Sequence, residues 1–422
     1  MVAAAACVVL AAIALVVTGS LRGRAARVPG GACRDCNVFI IVMDALRPDH
    51  LGCYGYPEGT SPNIDAFAAS AIRFEHVVSA SSWTKPAITS VLTGKLPTSH
   101  GVFEMRDTLP DGEATLQRIL ARAGYSFAGF VANRVFDGDI VDGFVRIAEG
   151  LKAERGFKAG SPSTTNAVVA HLDGASGVKN FVYVHYMDTH APYYTGEGAS
   201  GSAAPGSGDP AASYDAAIRI NDAQIGRLFD AIKKRGMWDR SIIVLMADHG
   251  EAFGEHGKTG HYNSLYDEET WIPFMVRVPG AAPRVVGGVY SEVDVMPSLL
   301  AALGLPSPGG LDGIDMLSAE RSIAFSEMKR GDVFLVSART VSAKVIYARL
   351  SGHTACFDLS RDPGETRDLA GTQDGRCIAL QRAVDSLVSR TRRKPGTREL
   401  GEEERRQLKA LGYLDGGPEE KR

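Results

Sequence analysis

Asp44, Asp248 and His249 combine two carboxylates with an imidazole, the donor chemistry of a hard-to-borderline divalent cation site. Each carboxylate closes an apolar run. Asp44 follows NVFIIVM (Asn37–Met43), and Asp248 follows SIIVLMA (Ser241–Ala247) about 200 residues later. Taken singly, Asp44 reads equally as a helix N-cap, and Asp248–His249 as an ordinary turn before Gly250; the joint pattern favours the cation. Thr84, in SSWTKPAITSVLTG, precedes Lys85-Pro86 and falls at the start of a predicted helix, because proline suits a first helical turn. Its hydroxyl reads either as a helix cap or as a nucleophile, and a divalent cation is one of few means to ionise it near neutral pH. Five of the ten histidines fall in two segments. His185 and His190 lie in VHYMDTHAPYY; His249, His256 and His261 share a stretch with Glu251 and Lys258. A lone histidine is more often structural, but this grouping suits binding a tetrahedral anion and protonating a leaving group.

Such residues need a scaffold that carries distant segments to one edge. Continuous apolar runs read as buried parallel strands, and open α/β sheets place ligands beyond the carboxyl ends of their strands. Further strand-like runs occur at 127–132, 181–187 and 274–278, with amphipathic helical stretches at 61–71, 113–123 and 216–235 between them. This alternation predicts a largely parallel sheet covered by helices on both faces. Residues 195–213 are Gly/Ala/Ser-rich and read as a surface loop near the pocket mouth. The character changes near residue 322. Residues 342–350 and 354–359 alternate like antiparallel strands, and 380–392 reads as a helix, which predicts a small C-terminal α+β subdomain. The expected organisation is a hydrophobic segment at 1–20, a linker at 21–36, a catalytic domain at 37–320, a C-terminal subdomain at 321–415 and a tail at 416–422.

The net charge of −3 gives no electrostatic reason for a polyanionic partner, and no Lys/Arg run is interleaved with aromatics, so nucleic acid is not an expected partner. Residues 2–18 carry no charged side chain, and Arg22, Arg24 and Arg27 come directly after them. This charge bias opposes export of the chain on its C-terminal side, yet the segment reads as an anchor or signal peptide in the membrane, with an exported, cell-envelope catalytic body. Six cysteines in 422 residues are too few for a disulfide scaffold. Cys33 and Cys36 form a lone C-x-x-C without the second pair that a zinc site needs, Cys356 and Cys377 make a possible bridge in an exported domain, and Cys53 reads as a small buried residue.

Several longer motifs run in order between residues 37 and 414: MDALRPDHLGCYGY, TSPNIDAFAASAIRFEHVVSASSWTKPAITSVLTGKLPTSHGV, HYMDTHAPY, MADHGEAFGEHG, GHYNSLYDEETWIPFMVRVPG, FDLSRDPGETRDLA and QLKALGYL. Together they resemble the sulfatase family of the alkaline phosphatase superfamily. The resemblance implies an alkaline-phosphatase-like α/β sandwich with a large, mostly parallel central sheet and a small C-terminal subdomain. It implies that Asp44, Asp248 and His249 are metal ligands, with Thr84 at the nucleophile position completing the metal's shell. His190 and His261 fall at catalytic and substrate-anion positions, and His256 and Lys258 at substrate-binding ones.

The departures are informative. Family sulfatases carry Cys or Ser followed by x-Pro-Ser-Arg, whereas here the frame reads Thr84, Lys85, Pro86, Ala87, Ile88. Threonine lacks the matching route to the formylglycine of those enzymes, and members with threonine here are typically phospho-transferases or phosphodiester hydrolases. The tandem Asp-Asp is also absent, since Met43 precedes Asp44. Fewer hard carboxylates beside an imidazole favour manganese or zinc over calcium or magnesium. The expectation is a hydrolase or transferase acting on a phosphate mono- or diester through a covalent threonine. A sulfuric ester hydrolase without formylglycine and an inactive binding protein are the alternatives. The expected substrate is a small-molecule, lipid head-group or glycan ester.

Overall fold

The computed structural model describes residues 27–131, 144–146, 160–175, 177–193, 209–402 and 405–406. Its centre is an eight-stranded sheet. In chain order the strands are β1 (Asn37–Met43), β2 (Ile72–Val78), β3 (Tyr125–Val131), β4 (Phe144–Arg146), β5 (Lys179–Tyr186), β6 (Ser241–Ala247), β7 (Trp271–Arg277) and β8 (Arg284–Ser291). Across the sheet they run β8-β2-β7-β6-β1-β5-β3-β4. β1 and β6 are buried along their whole length, as apolar runs in a covered parallel sheet must be.

The sheet departs from the parallel expectation at β7, which runs antiparallel to β6 and β2. The reason is local. After β6 the chain stays at the carboxyl edge through residues 248–266, makes one helical turn at Asp267–Thr270, and re-enters directly. A parallel re-entry needs a crossover to the other end, and no helix supplies one. The edge strand β8 and its neighbour β2 were not legible as strands: IRFEHVV mixes charge into the pattern, and Gly287–Gly288 interrupts β8.

The helices α1 (Pro62–Ala69), α2 (Thr84–Thr93), α3 (Leu116–Arg122), α4 (Ser161–Asp173), α5 (Pro210–Lys234) and α6 (Val295–Leu303) flank the sheet. Ile88, Val91 and Leu92 of α2 and Ile218, Ile225 and Leu228 of α5 join the strand residues in one core. Asp209 caps α5 by accepting from Ala211 N at 2.9 Å, so the expected loop gives way to helix at Pro210; its residues 195–208 lie outside the described residues.

A second sheet of four antiparallel strands, β9 (Ala324–Arg330), β10 (Val333–Arg339), β11 (Lys344–Ala348) and β12 (Thr354–Phe357), forms the C-terminal subdomain. Leu380, Val384 and Leu387 of α7 (Gly375–Val388) pack on Val336, Ala338 and Val345. Cys356 and Cys377 form a disulfide that staples α7 to β12. Cys33 and Cys36 form a second. Residues 27–36, part of the expected linker, are tied down: Gly31 N and Cys33 N donate to Ala301 O and Ala302 O, and Tyr125 Oη to Cys36 O. Cys53 is half-buried and free. The apolar segment 1–20 and the tail 416–422 lie outside the described residues. Among those described, no helix is long and apolar enough to cross a membrane.

Candidate active site

The register of the two central strands builds the site. Met43 pairs with Ala247, so Asp44 and Asp248 leave the sheet side by side at its carboxyl edge. Asp44, Asp248 and His249 are all fully buried, and one ligand atom from each lies within 4.8 Å of the others. His249 Nε2 is 3.7 Å from Asp44 Oδ1 and 3.5 Å from Asp248 Oδ2. Those two oxygens have no hydrogen-bond partner among the described residues. Buried carboxylate oxygens left unmatched are costly, and a cation between them removes the cost. His249 Nδ1 donates to Gly250 O at 2.9 Å, which leaves Nε2 as the lone-pair nitrogen. Burial and the neighbouring Asp44 push the Asp248 carboxyl above its ordinary range. Asp44 is held well below that range: burial opposes this, but His190, His185 and His249 outweigh it. The donor set and its charge deficit fit a divalent ion.

Backbone detail holds this corner in shape. Ala45, directly after Asp44, and Tyr262, directly after His261, adopt positive φ of 56° and 63°. Such strain in non-glycine residues survives only where surrounding structure over-determines it. Gly250 passes so close to the Asp267–Thr270 turn that a Cβ there would lie 2.1 Å from Glu268 O.

Thr84 enters the same corner as the first residue of α2. Its Oγ1 lies 3.2 Å from His249 Nε2 and 3.4 Å from Asp44 Oδ2, and the residue is fully buried. Trp83, not Thr84, holds the N-cap position. The hydroxyl thus reaches one carboxylate and one imidazole of the candidate site. His261 packs on His249 with ring centroids 4.4 Å apart, and His190 meets His261 edge-on at 4.8 Å. His261 Nδ1 donates to the buried Glu251 Oε1 at 3.2 Å. Burial alone would lower the His261 pKa, but Glu251 and then Asp44 raise it above the ordinary value.

Asp44, Thr84, His190, Asp248, His249 and His261 thus converge. His256 turns toward the C-terminal subdomain instead: Nδ1 lies 2.7 Å from Glu268 Oε1, Nε2 lies 3.0 Å from Glu365 O, and the ring stacks on Tyr266. Lys258 is exposed. His185 and Glu251, noted in the sequence only as neighbours, gain definite partners. His185 Nε2 donates to Asp44 Oδ2 at 3.0 Å, while Tyr183 Oη is 2.9 Å from its Nδ1.

A family model described as Sulfatase matches residues 36–305. The chain belongs to the sulfatase family. It is 26% identical to human arylsulfatase A over 449 aligned positions, covering 84% of this chain and 87% of that protein. Among solved structures, a 2-O GAG sulfatase superposes with a TM-score of 0.70 at 19% identity, covering 85% of this chain and 92% of the other. The phosphonate monoester hydrolase of Agrobacterium radiobacter superposes with a TM-score of 0.68 at 20% identity, covering 84% and 95%. At those identities the structures establish the fold, an alkaline-phosphatase-like sandwich with a small C-terminal sheet. As a sulfatase-family protein, the chain is an ester hydrolase.

Proposed function

We propose that this sulfatase-family hydrolase cleaves or transfers phosphate mono- or diesters through a covalent intermediate on Thr84. The observation that carries the reading is the Thr84 hydroxyl, fully buried within 3.4 Å of Asp44 Oδ2 and 3.2 Å of His249 Nε2. A divalent ion held by Asp44, Asp248 and His249 would acidify that hydroxyl and offset the charge of the ester. Thr84 Oγ1 forms the new bond to phosphorus as the bond to the leaving alcohol breaks. His190 and His261 hold non-bridging oxygens, or give the departing alcohol its proton. Water or an acceptor alcohol then takes the phosphoryl group from the threonine.

Two carboxylates and an imidazole favour manganese or zinc over calcium or magnesium as the ion. The two disulfides support folding in an oxidising compartment, and so export to the cell envelope. The phosphonate monoester hydrolase fold supports phosphorus chemistry on this scaffold. Similarity to human arylsulfatase A favours a second reading, hydrolysis of sulfuric esters without formylglycine. Thr84→Ala decides the covalent step: turnover falls about 10⁴-fold or more, the phosphorylated Thr84 peptide vanishes from mass spectra of quenched enzyme, and metal content persists. Undiminished turnover overturns it. Aryl phosphate, bis-aryl phosphodiester and aryl sulfate assayed side by side separate the two ester classes.

A further inference from the structure

The chain turns sharply where β1 ends. Ala45, one residue past Asp44, has a φ of 56°. In that left-handed region a Cβ crowds the following carbonyl oxygen, so alanine stays there only when its surroundings hold it. Ala45 is wholly buried, and its amide and its carbonyl both find side-chain partners from distant segments. Ala45 N donates to Asp248 Oδ1 at 3.1 Å, and Ala45 O accepts from Tyr214 Oη at 2.7 Å. The same Tyr214 hydroxyl accepts from Arg47 N at 2.8 Å. One hydroxyl thus closes the turn from Ala45 to Arg47, donating to one end and accepting from the other.

Tyr214 reaches this turn from α5, of which it is the fifth residue. Asn221 follows two helical turns later on the same face. Asn221 Nδ2 lies 3.4 Å from Thr189 Oγ1, and Thr189 Oγ1 donates to Asp44 O at 2.7 Å. α5 therefore holds two successive carbonyls, that of Ala45 directly and that of Asp44 through Thr189. Tyr214 and Asn221 are fully buried on a stripe shared with Ile218 and Ile225, a place where polar atoms are costly unless matched. The Tyr214 ring meets His50, Tyr193 and Phe253 edge-on, with centroids 5.0, 5.5 and 4.9 Å away. Packing fixes the ring, and the hydroxyl holds the turn.

The turn decides which carboxylate oxygen is left for a cation. Ala45 N and His249 N, at 3.1 and 3.0 Å, both donate to Asp248 Oδ1, which leaves Oδ2 as the oxygen 3.5 Å from His249 Nε2. A relaxed, negative φ at Ala45 swings its amide away and frees Asp248 to rotate. We propose that Tyr214 is a positioning residue for the metal corner: its hydroxyl holds Ala45 in the left-handed conformation, and Ala45 in turn fixes the Asp248 carboxylate beside Asp44. The proposal rests on reading Asp44, Asp248 and His249 as a cation site. It places a determinant of that site on a helix that carries none of the three ligands.

The test uses Tyr214→Phe, which keeps the ring, alone and combined with Ala45→Gly. Glycine adopts positive φ without strain and needs no hydroxyl to hold it there. Calorimetric titration of the metal-stripped full chain with manganese should show affinity about 10- to 100-fold weaker in Tyr214→Phe, the usual loss when a group that orients a ligand is removed. Ala45→Gly alone should bind as wild type does. The double variant should recover most of the loss, although it still lacks both hydrogen bonds of the hydroxyl. A role in stability alone gives another pattern. Ile225→Ala opens a cavity about 16 Å along α5 from Tyr214 and lowers the denaturant midpoint; its manganese affinity should match wild type. Unchanged affinity in Tyr214→Phe, no recovery with glycine, or an equal loss in Ile225→Ala overturns the proposal. Hydrogen exchange in the metal-free chain reads the turn without any metal. The Ala45 amide should exchange at least about ten-fold faster in Tyr214→Phe than in wild type, and equal rates also overturn the proposal. Failure of the cation reading alone looks different: wild type binds no manganese, and the exchange contrast is retained.

Discussion

His185 Nε2 donates to Asp44 Oδ2 at 3.0 Å, with both side chains wholly buried and Tyr183 Oη closing the chain on the opposite ring nitrogen. One oxygen of Asp44 is thereby fixed, and the other faces the candidate cation site. Partners of this kind orient a ligand, and losing one typically costs about 10- to 100-fold in metal affinity. His185→Ala is expected to weaken metal binding by that factor, with His185→Gln recovering part of it. Titration of the metal-stripped variants with manganese and zinc checks this; unchanged affinity in the alanine variant would remove His185 from the site.

Chelation should abolish turnover. Manganese or zinc should restore it better than calcium, because one of the three candidate ligands is an imidazole. Asp248→Asn should bind less than one ion per chain under conditions that saturate the wild type, since it removes one of two adjacent carboxylates. Elemental analysis after desalting reads both results. A variant that keeps a full complement of metal would move the site elsewhere.

Glu327, on β9, gives a pH dependence whose sign is fixed. Its carboxyl accepts from Thr98 N at 2.9 Å and from Thr98 Oγ1, and burial pushes its pKa up to about 7 from an ordinary 4.5. The folded chain therefore holds this proton more tightly than the unfolded one. That contribution is complete below pH 4.5 and is lost as pH rises to about 7. Glu327→Gln should be close to wild type in stability near pH 4.5 and gain on it by roughly 3 kcal/mol at pH 8. Parallel denaturant melts of both proteins measure the difference; a gap that stays constant with pH refutes it.

The Cys356–Cys377 bridge joins residues 21 apart in sequence. By the chain-entropy account, a loop of that size contributes about 3 kcal/mol. Cys356→Ser/Cys377→Ser is expected to lower the stability of the C-terminal subdomain by about that amount, read as a lower denaturant midpoint with little change in metal content. An unaltered midpoint would show that the bridge adds nothing.

What could be read in the chain and what could not divide on physical grounds. β1 and β6 are buried on both faces, so every residue of NVFIIVM and SIIVLMA between the first and the last is apolar, and the acidic residues after them stand out. The helices at 216–235 and 380–392 were visible from apolar spacing, although α5 and α7 each begin earlier, where Asp209 and Asp374 cap them. β2 exposes part of one face at the seam and carries Arg73, Glu75 and His76, which hides its strand character. His256 was misleading for another reason. It shares a segment with His249 and His261, but its positive φ of 51° turns it from them toward Glu365. Spacing along a chain does not report such a backbone reversal. Nor does it report which histidine touches which carboxylate, so the role of His185 emerged only from the pairing of Val42 with His185 across β1 and β5.

The adjacency of β1 and β6 has a consequence for how the chain comes into being. The two strands are nearest neighbours in the sheet, yet β6 leaves the ribosome about 200 residues after β1. Until then Asp44 has neither Asp248 nor His249 beside it. Long-range pairings of this kind form late and slowly. A cation held by this corner would therefore join a nearly completed body rather than nucleate one, and a nascent chain cut short before Asp248 lacks two of the three candidate ligands, however well its first strands have formed.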